Sequence, residues 1–197
     1  MKTITIPKSF GYPTVDIIAN GKHYELNSGV EITVEDHLAE IIENAIALAP
    51  KQGRSISRLA LLAEGSITEI TAGDLEGIST IYTYAFYNIK SLTSVTFPSS
   101  IISIGEFAFF GCHLLGSIRF GGDSKIEIIG ANAFNWCAKL SEVYLPETPP
   151  TLADVNAFAN INKNCTFYCK TQASLDAYKA ADNWSTLTDT YSFVVEP

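Results

Sequence analysis

Neighbouring thiol and imidazole groups are the first feature of this chain that could do chemistry. Cys112 directly precedes His113, and a cysteine beside a histidine can suggest a thiol nucleophile with its general base. Side chains of adjacent residues point in different directions, however, so sequence neighbours do not form the hydrogen-bonded pair that activates a thiol. A structural role for Cys112 is therefore the favoured interpretation.

Two further clusters also have structural interpretations. Cys165 and Cys169 are four residues apart in a strand-like run, which places both side chains on one face. No histidine or second cysteine pair stands at zinc-ligand spacing, so a zinc site is not favoured, and the sequence leaves open whether the two thiols are free or bonded. Gly121-Gly122 lies in a turn-rich insertion, not between a strand and a helix, which argues against a phosphate-binding loop.

Motifs of well-known active sites are also missing. No H-E-x-x-H, no G-x-S-x-G and no glycine-rich loop with P-loop or Rossmann spacing occurs in the sequence. We therefore predict that the protein is not an enzyme and uses no metal or cofactor.

A short phrase that ends in Ala-Phe recurs four times and organises the middle of the chain. Its phenylalanines stand at positions 86, 109, 134 and 158, which makes them 23, 25 and 24 residues apart. A fixed period of this size is typical of a solenoid, in which equivalent side chains stack in columns along the axis. The predicted structural core column is Phe86, Phe109, Phe134 and Phe158.

Each copy also carries a short alternating segment, as in Val95-Thr-Phe97, which predicts one strand per coil in a parallel sheet. Residues that point outward from these strands form the first candidate interaction surface. Its members are Thr96, Arg119, Tyr144 and Tyr168. Tyrosine and arginine are frequent at binding hot spots, but an ordinary solvated sheet face explains the same residues equally well.

Aromatic residues close to the repeated phenylalanines form a second candidate interaction surface. They are Tyr84, Tyr87, Phe107, Phe110 and Trp136. Packing between coils is the favoured interpretation of these side chains, and an exposed aromatic stripe that binds a partner is the alternative.

The segments around the repeats predict an α+β protein in three parts. Residues 1–56 form a small β-hairpin-plus-helix N-terminal module, with the hairpin turn at Asn20-Gly21. Residues 57–170 hold the repeats, and 57–80 are a partial repeat that caps them. Residues 171–197 form a C-terminal capping helix, with Thr171 as its N-cap, and a tail.

The segment Ser103-Ile-Gly-Glu-Phe-Ala-Phe-Phe-Gly-Cys112 resembles the BspA-type, or surface-antigen type, leucine-rich repeat. The resemblance covers residues 64–170 and implies a short leucine-rich-repeat solenoid for protein–protein recognition, often adhesion at bacterial surfaces. The N-terminal module is similar to short proteins in phage and prophage gene sets of Gram-positive bacteria. That second resemblance implies an alternative role as a structural or accessory component of a phage-derived assembly, docked through this module.

Charge and hydropathy narrow the choice of partner. Thirteen basic and 21 acidic residues give a net charge of −8, which repels phosphates and argues against nucleic acid or anionic lipid. No apolar run approaches the roughly 20 residues of a membrane helix, and the start shows no secretory signal. The sequence therefore predicts a non-catalytic interaction or scaffolding protein that binds an unidentified protein, in the cytoplasm or a phage particle in preference to the cell surface.

Overall fold

The computed structural model describes residues 1–5, 14–19, 22–27, 31–34, 68–75, 79–81, 83 and 85–197. The chain divides into two compact units, Met1–Ile67 and Thr68–Pro197. The predicted three-part division, with boundaries at residues 56 and 170, stays a prediction.

Two antiparallel strand pairs make up the described part of the first unit. Strand β1 (Lys2–Thr5) pairs with β4 (Glu31–Val34), and β2 (Thr14–Ala19) pairs with β3 (Lys22–Asn27). The predicted turn at Asn20-Gly21 and the helix predicted to follow β4 lie outside the described residues.

The second unit is a stack of coils with two parallel sheets. The larger sheet has six strands in the order β5 (Glu69–Ile70), β7 (Ser94–Phe97), β9 (Ser117–Phe120), β11 (Glu142–Tyr144), β13 (Thr166–Cys169) and β14 (Ser192–Val195). The smaller sheet has four strands in the order β6 (Thr80–Ile81), β8 (Ser103–Ile104), β10 (Ile128–Ile129) and β12 (Thr151–Leu152). The predicted leucine-rich-repeat fold with parallel strands is confirmed. A coil contributes two strands, however, where the alternating pattern predicted one.

The turns between the two sheets are held by hydrogen bonds from one coil to the next. The amide of Phe86 donates to the Ala108 carbonyl at 2.7 Å, and the amide of Phe109 donates to the Ala133 carbonyl at 2.7 Å. These bonds satisfy turn backbone that would otherwise be buried without partners. A 3-10 helix, Val155–Phe158, replaces the turn in the last copy of the phrase.

The core lies between the sheets and is filled by a continuous stack of phenylalanine rings. Successive rings of the predicted core column are 4.8, 5.2 and 5.1 Å apart between centroids and nearly parallel. All four side chains are buried, and Phe97 from the larger sheet packs edge-on against Phe109. Such offset aromatic pairs stabilise a core beyond the area that they bury.

Two helices close the C-terminal end, where the sequence predicted one. Helix α1 (Gln172–Ala180) begins after Thr171, whose side chain accepts a hydrogen bond from the Ser174 amide at 3.1 Å. Helix α2 (Trp184–Thr190) follows directly. Trp184 is fully buried against Phe158, and its indole N–H donates to the Pro150 carbonyl at 2.8 Å. The helices thus cover the end of the phenylalanine stack.

Candidate functional site

The first candidate surface lies on the outer face of the six-stranded sheet. Parallel pairing aligns Thr96 with Arg119, Arg119 with Tyr144, and Tyr144 with Tyr168. Side chains alternate along each strand, so these residues point away from the core while their strand neighbours are buried. We call this aligned set of Thr96, Arg119, Tyr144 and Tyr168 the strand-face row.

Direct contacts order the side chains of the strand-face row. The guanidinium carbon of Arg119 lies 3.5 Å from the ring centroid of Tyr144, which is a cation–π contact. The ring of Tyr144 stacks on the ring of Tyr168, with centroids 4.7 Å apart and planes 13° from parallel. The Tyr144 hydroxyl donates to the Glu142 carboxylate at 3.4 Å. These contacts hold an arginine and two tyrosines in fixed positions.

The strand-face row presents a neutral phenol and an exposed cation. Removal from water and the Glu142 carboxylate raise the pKa of Tyr144, although Arg119 opposes them, so the hydroxyl stays a donor. Arg119 is exposed, and in the described part of the chain no carboxylate forms an ion pair with it. Its guanidinium edges are open to a partner.

The second candidate surface is brought together only in part. Tyr87 stacks on Phe110 at 5.3 Å, and Phe107 lies 5.5 Å from Phe110. Tyr84 lies outside the described residues. Trp136 is 49% exposed in the next coil, and within the described ranges no ring stacks on it.

Trp136 stands at a backbone position of the repeat whose left-handed conformation was not predicted from the sequence. The residue two positions after each repeated phenylalanine has a left-handed backbone, with φ of 61° at Asn88, 74° at Gly111, 63° at Trp136 and 55° at Asn160. Glycine and asparagine tolerate this region, whereas a bulky side chain there is an outlier. The recurring Asn-Gly-Asn signal was present in the sequence, but Trp136 interrupts it.

Sequence reasoning also missed a chain of three amides beside Trp136. The Asn135 amino group donates to Oδ1 of Asn132 at 2.7 Å, and the Asn160 amino group donates to Oδ1 of Asn135 at 2.9 Å. Asn135 is only 8% exposed, so its amide is satisfied inside the turn by these two bonds. Three of the four copies have an asparagine one or two residues after the repeated phenylalanine, at positions 88, 135 and 160, and this pattern is the signal that could have revealed the chain.

The Cys112 and Cys137 thiols form hydrogen bonds between successive coils. The Sγ–H groups of Cys112 and Cys137 donate to the carbonyls of Phe86 and Phe109 at 3.2 and 3.3 Å. Burial raises the pKa of Cys112 to about 12, and it raises the pKa of Cys137 well above the usual range. A protonated, buried thiol is a poor nucleophile, while His113 is exposed.

Cys165 and Cys169 are both buried and unbonded. Burial raises the pKa of Cys165 to about 12 and that of Cys169 to about 11, so both remain protonated at neutral pH. Within residues that the structure describes, no group of three or more His, Cys, Asp or Glu residues could hold a metal ion.

Comparison with known families identifies the repeats. A family model described as the BspA type leucine rich repeat region, in six copies, matches residues 54–182. The chain belongs to the BspA-type leucine-rich repeat family. No curated protein matches this BspA-type chain in sequence. The described part of the chain holds no helix that is long and apolar enough to cross a membrane.

Three solved bacterial structures are similar to this BspA-type chain, each at 24% identity. A leucine rich cell surface protein from Faecalibacterium prausnitzii has a TM-score of 0.43 over 55% of this chain and 31% of its own length. A leucine-rich repeat protein from Bacteroides capillosus has a TM-score of 0.45 over 54% of this chain and 80% of its own length. The leucine rich repeat protein of T. pallidum has a TM-score of 0.36 over 53% of this chain and 59% of its own length.

The chain thus spans less than a third of the length of the first of these proteins. Neither the family match nor the similar structures support the predicted likeness of residues 1–56 to phage-encoded proteins. The predicted cytoplasmic or phage-particle location has no support from them either.

Proposed function

We propose that this BspA-type chain is a non-catalytic interaction protein that binds another protein with the outer face of its six-stranded sheet. The observation that carries the proposal is the preordered strand-face row, in which Arg119, Tyr144 and Tyr168 stack on one another. Membership of the family supports it, because BspA-type repeats generally serve protein interaction or the cell surface.

Preordering favours binding because an interface must otherwise immobilise long side chains. Arginine and tyrosine lose rotamer freedom when a partner arrives, and this loss offsets part of the contact energy. In the strand-face row the rings are already stacked and the guanidinium already rests on Tyr144. A partner therefore gains aromatic and charged contacts at a reduced entropic cost.

Charge also favours this face. The chain has a net charge of −8, yet Arg119 is exposed and no described carboxylate pairs with it. An exposed guanidinium in an acidic protein favours a partner that offers a carboxylate, since the planar fork of arginine binds carboxylates with two parallel hydrogen bonds.

The test compares partner capture by matched variants of the whole chain. Proteins of the source bacterium that bind the immobilised wild type should be retained by Tyr87→Ala, which removes an aromatic ring elsewhere. The same proteins should bind Tyr144→Ala/Tyr168→Ala at least roughly thirtyfold more weakly, as expected when hot-spot residues worth about 2 kcal/mol are lost. Circular dichroism checks that each variant is folded.

A photo-crosslinking residue in place of Thr96 gives an independent readout. It should link to the captured protein, whereas the same residue in place of the exposed Leu114 should not. Equal capture by the Tyr144→Ala/Tyr168→Ala variant, or crosslinking from position 114 alone, would remove the strand-face row as the binding surface.

A further inference from the structure

Trp136 is a bulky residue at a position where the other repeats have a small or amide side chain. The other three coils place asparagine or glycine at this left-handed position, where a bulky side chain is strained. The indole gains little burial in return, because 49% of the side chain is exposed. A residue that strains the backbone without filling the core indicates a role outside the fold.

The turn of the neighbouring coil lies beside the turn that carries Trp136. Gly111 holds the equivalent slot one coil earlier, and its amide donates to the Asn135 carbonyl at 2.9 Å, which places the two turns side by side. A ligand ring can approach the indole from solvent, because 49% of the Trp136 side chain is exposed.

The amide chain ends in a donor and an acceptor that belong to the turn of Trp136 and to the turn of the next coil. Its inner bonds use both the amino group and the oxygen of the Asn135 amide. The amino group of Asn132 and Oδ1 of Asn160 have no hydrogen-bond partner among the residues described. Trp136 follows Asn135 directly, and its amide donates to the Ala159 carbonyl at 3.1 Å, next to Asn160.

These features match one ligand chemistry. A pyranose ring has an apolar C–H face that packs on an aromatic ring, and its hydroxyl groups both donate and accept hydrogen bonds. The two slots that directly follow the repeated phenylalanines hold no charged residue. Their members are Tyr87, Asn88, Phe110, Gly111, Asn135, Trp136, Ala159 and Asn160. An ionic ligand would therefore find no counter-charge in them.

We propose that the turn surface around Trp136, with Asn132 and Asn160, is a binding site for an uncharged glycan. One sugar ring stacks on the indole, and its hydroxyl groups bond to the free amino group of Asn132 and the free oxygen of Asn160. The site uses none of the strand-face row, so it stands independently of the proposed protein interaction.

Tryptophan fluorescence of the whole chain tests the proposal directly. The chain has two tryptophans, and Trp184 is fully buried, so a change in a solvent-exposed emission component reports on Trp136. The probes are soluble neutral hexasaccharides of glucose, galactose, mannose and N-acetylglucosamine, with hexagalacturonate as the charged contrast. At least one neutral probe should shift the emission to shorter wavelength and protect it from iodide quenching.

Three variants separate the site from the fold. Trp136→Asn restores the residue type of the neighbouring coils and should weaken binding, measured by calorimetry, at least about tenfold, the equivalent of one stacking contact of about 1.4 kcal/mol. Asn160→Gly keeps the left-handed backbone, removes the amide and should weaken binding several-fold. Tyr168→Ala, on the strand-face row, should bind the saccharide like the wild type.

Several outcomes would overturn the inference. They are the absence of a shift with every neutral probe, equal binding by Trp136→Asn, tighter binding of hexagalacturonate than of any neutral probe, and loss of saccharide binding in Tyr168→Ala. Protection of Trp136 from iodide by a captured protein, with no saccharide effect, would make this surface a protein contact instead. The absence of a saccharide effect leaves partner capture by the strand-face row untouched.

Discussion

At the scale of single residues, two coils approach each other closely at Gly130. A Cβ atom at this position would lie 2.6 Å from both the Gly105 carbonyl carbon and the Glu106 nitrogen. Both atoms belong to the backbone, so neither can rotate away. This glycine is needed for space, whereas Gly111 is needed for its φ of 74°.

Gly130→Ala should therefore lower the free energy of unfolding by about 3 kcal/mol, the upper part of the range for overpacked sites. The matched control is Gly122→Ala, whose Cβ would meet only the end of the Lys170 side chain at 3.5 Å. That control should stay within about 0.5 kcal/mol of the wild type. Urea unfolding of the two variants measures the difference, and equal midpoints would contradict the close approach at Gly130.

The four buried thiols predict an alkaline loss of stability. Burial raises the folded-state pKa of Cys112 and Cys165 from 9.0 to about 12, so the unfolded chain releases these protons first as pH rises. Their contribution is fully present below pH 9 and declines progressively towards pH 12. Melting temperatures should fall across this window. Replacing Cys112 with alanine should make the fall shallower, and an unchanged slope would contradict the assignment.

At the scale of elements, the phenylalanine stack is the main packing element of the coils. Phe109 is buried between Phe86 and Phe134, whereas its sequence neighbour Phe110 is half-buried and stacks on Tyr87. Phe109→Ala should cost about 3–5 kcal/mol, and Phe110→Ala should cost about 1 kcal/mol. Thermal melts compare them. A Phe109→Ala variant that melts within a degree of the wild type would mean that the register of the stack is wrong.

The C-terminal helices are expected to set the order of unfolding. Trp184→Ala removes a fully buried indole and its bond to Pro150, and should cost about 3–5 kcal/mol. Because each coil contacts only its neighbours, hydrogen exchange should accelerate first in β13 and β12 and least in β7. Uniform acceleration over all coils would show that the solenoid unfolds as one cooperative unit.

The sequence predicted some elements better than others, for physical reasons. The repeat period places equivalent residues in columns, so the four phenylalanines and the alignment of Thr96 with Arg119 follow from equal offsets. The two-residue strands of the smaller sheet are too short to show an alternating pattern. The segment of α2, Trp184–Thr190, has three threonines and little apolar periodicity, so its helix depends on tertiary packing.

The candidate site was also predictable from the sequence only in part. Offsets predicted which residues lie on the strand-face row, but the position of Arg119 over Tyr144 depends on rotamers that no offset specifies. The amide chain through Asn135 likewise depends on three side-chain orientations in two coils.

At the scale of the whole molecule, the coils form an additive stack. The amide of Phe109 donates to the Ala133 carbonyl, and the amide of Phe134 donates to the Ala157 carbonyl in the same way. The hydrogen-bonding groups of one coil are therefore chemically the same as those of the next. Stability should therefore be the sum of coils and their interfaces.

Deletion of residues 110–134 tests this additivity. It joins Phe109 to Asn135, removes one whole coil and lets Phe109 take the place of Phe134 beside Ala157. The shorter chain should fold, elute as a smaller single species and melt cooperatively at a lower temperature. Deletion of residues 110–121 removes half a coil, puts inward residues on the wrong side and should give an unfolded or aggregated chain. The reverse ranking would contradict additivity.

The equivalence of the turn hydrogen bonds also bears on how such a chain can change over generations. An unequal exchange between two copies of the repeat within a gene adds or removes a complete coil, and the new junction meets the same donors and acceptors as the old one. Length can then vary in whole steps without a new fold, and each added copy supplies another outward slot in which substitutions can accumulate.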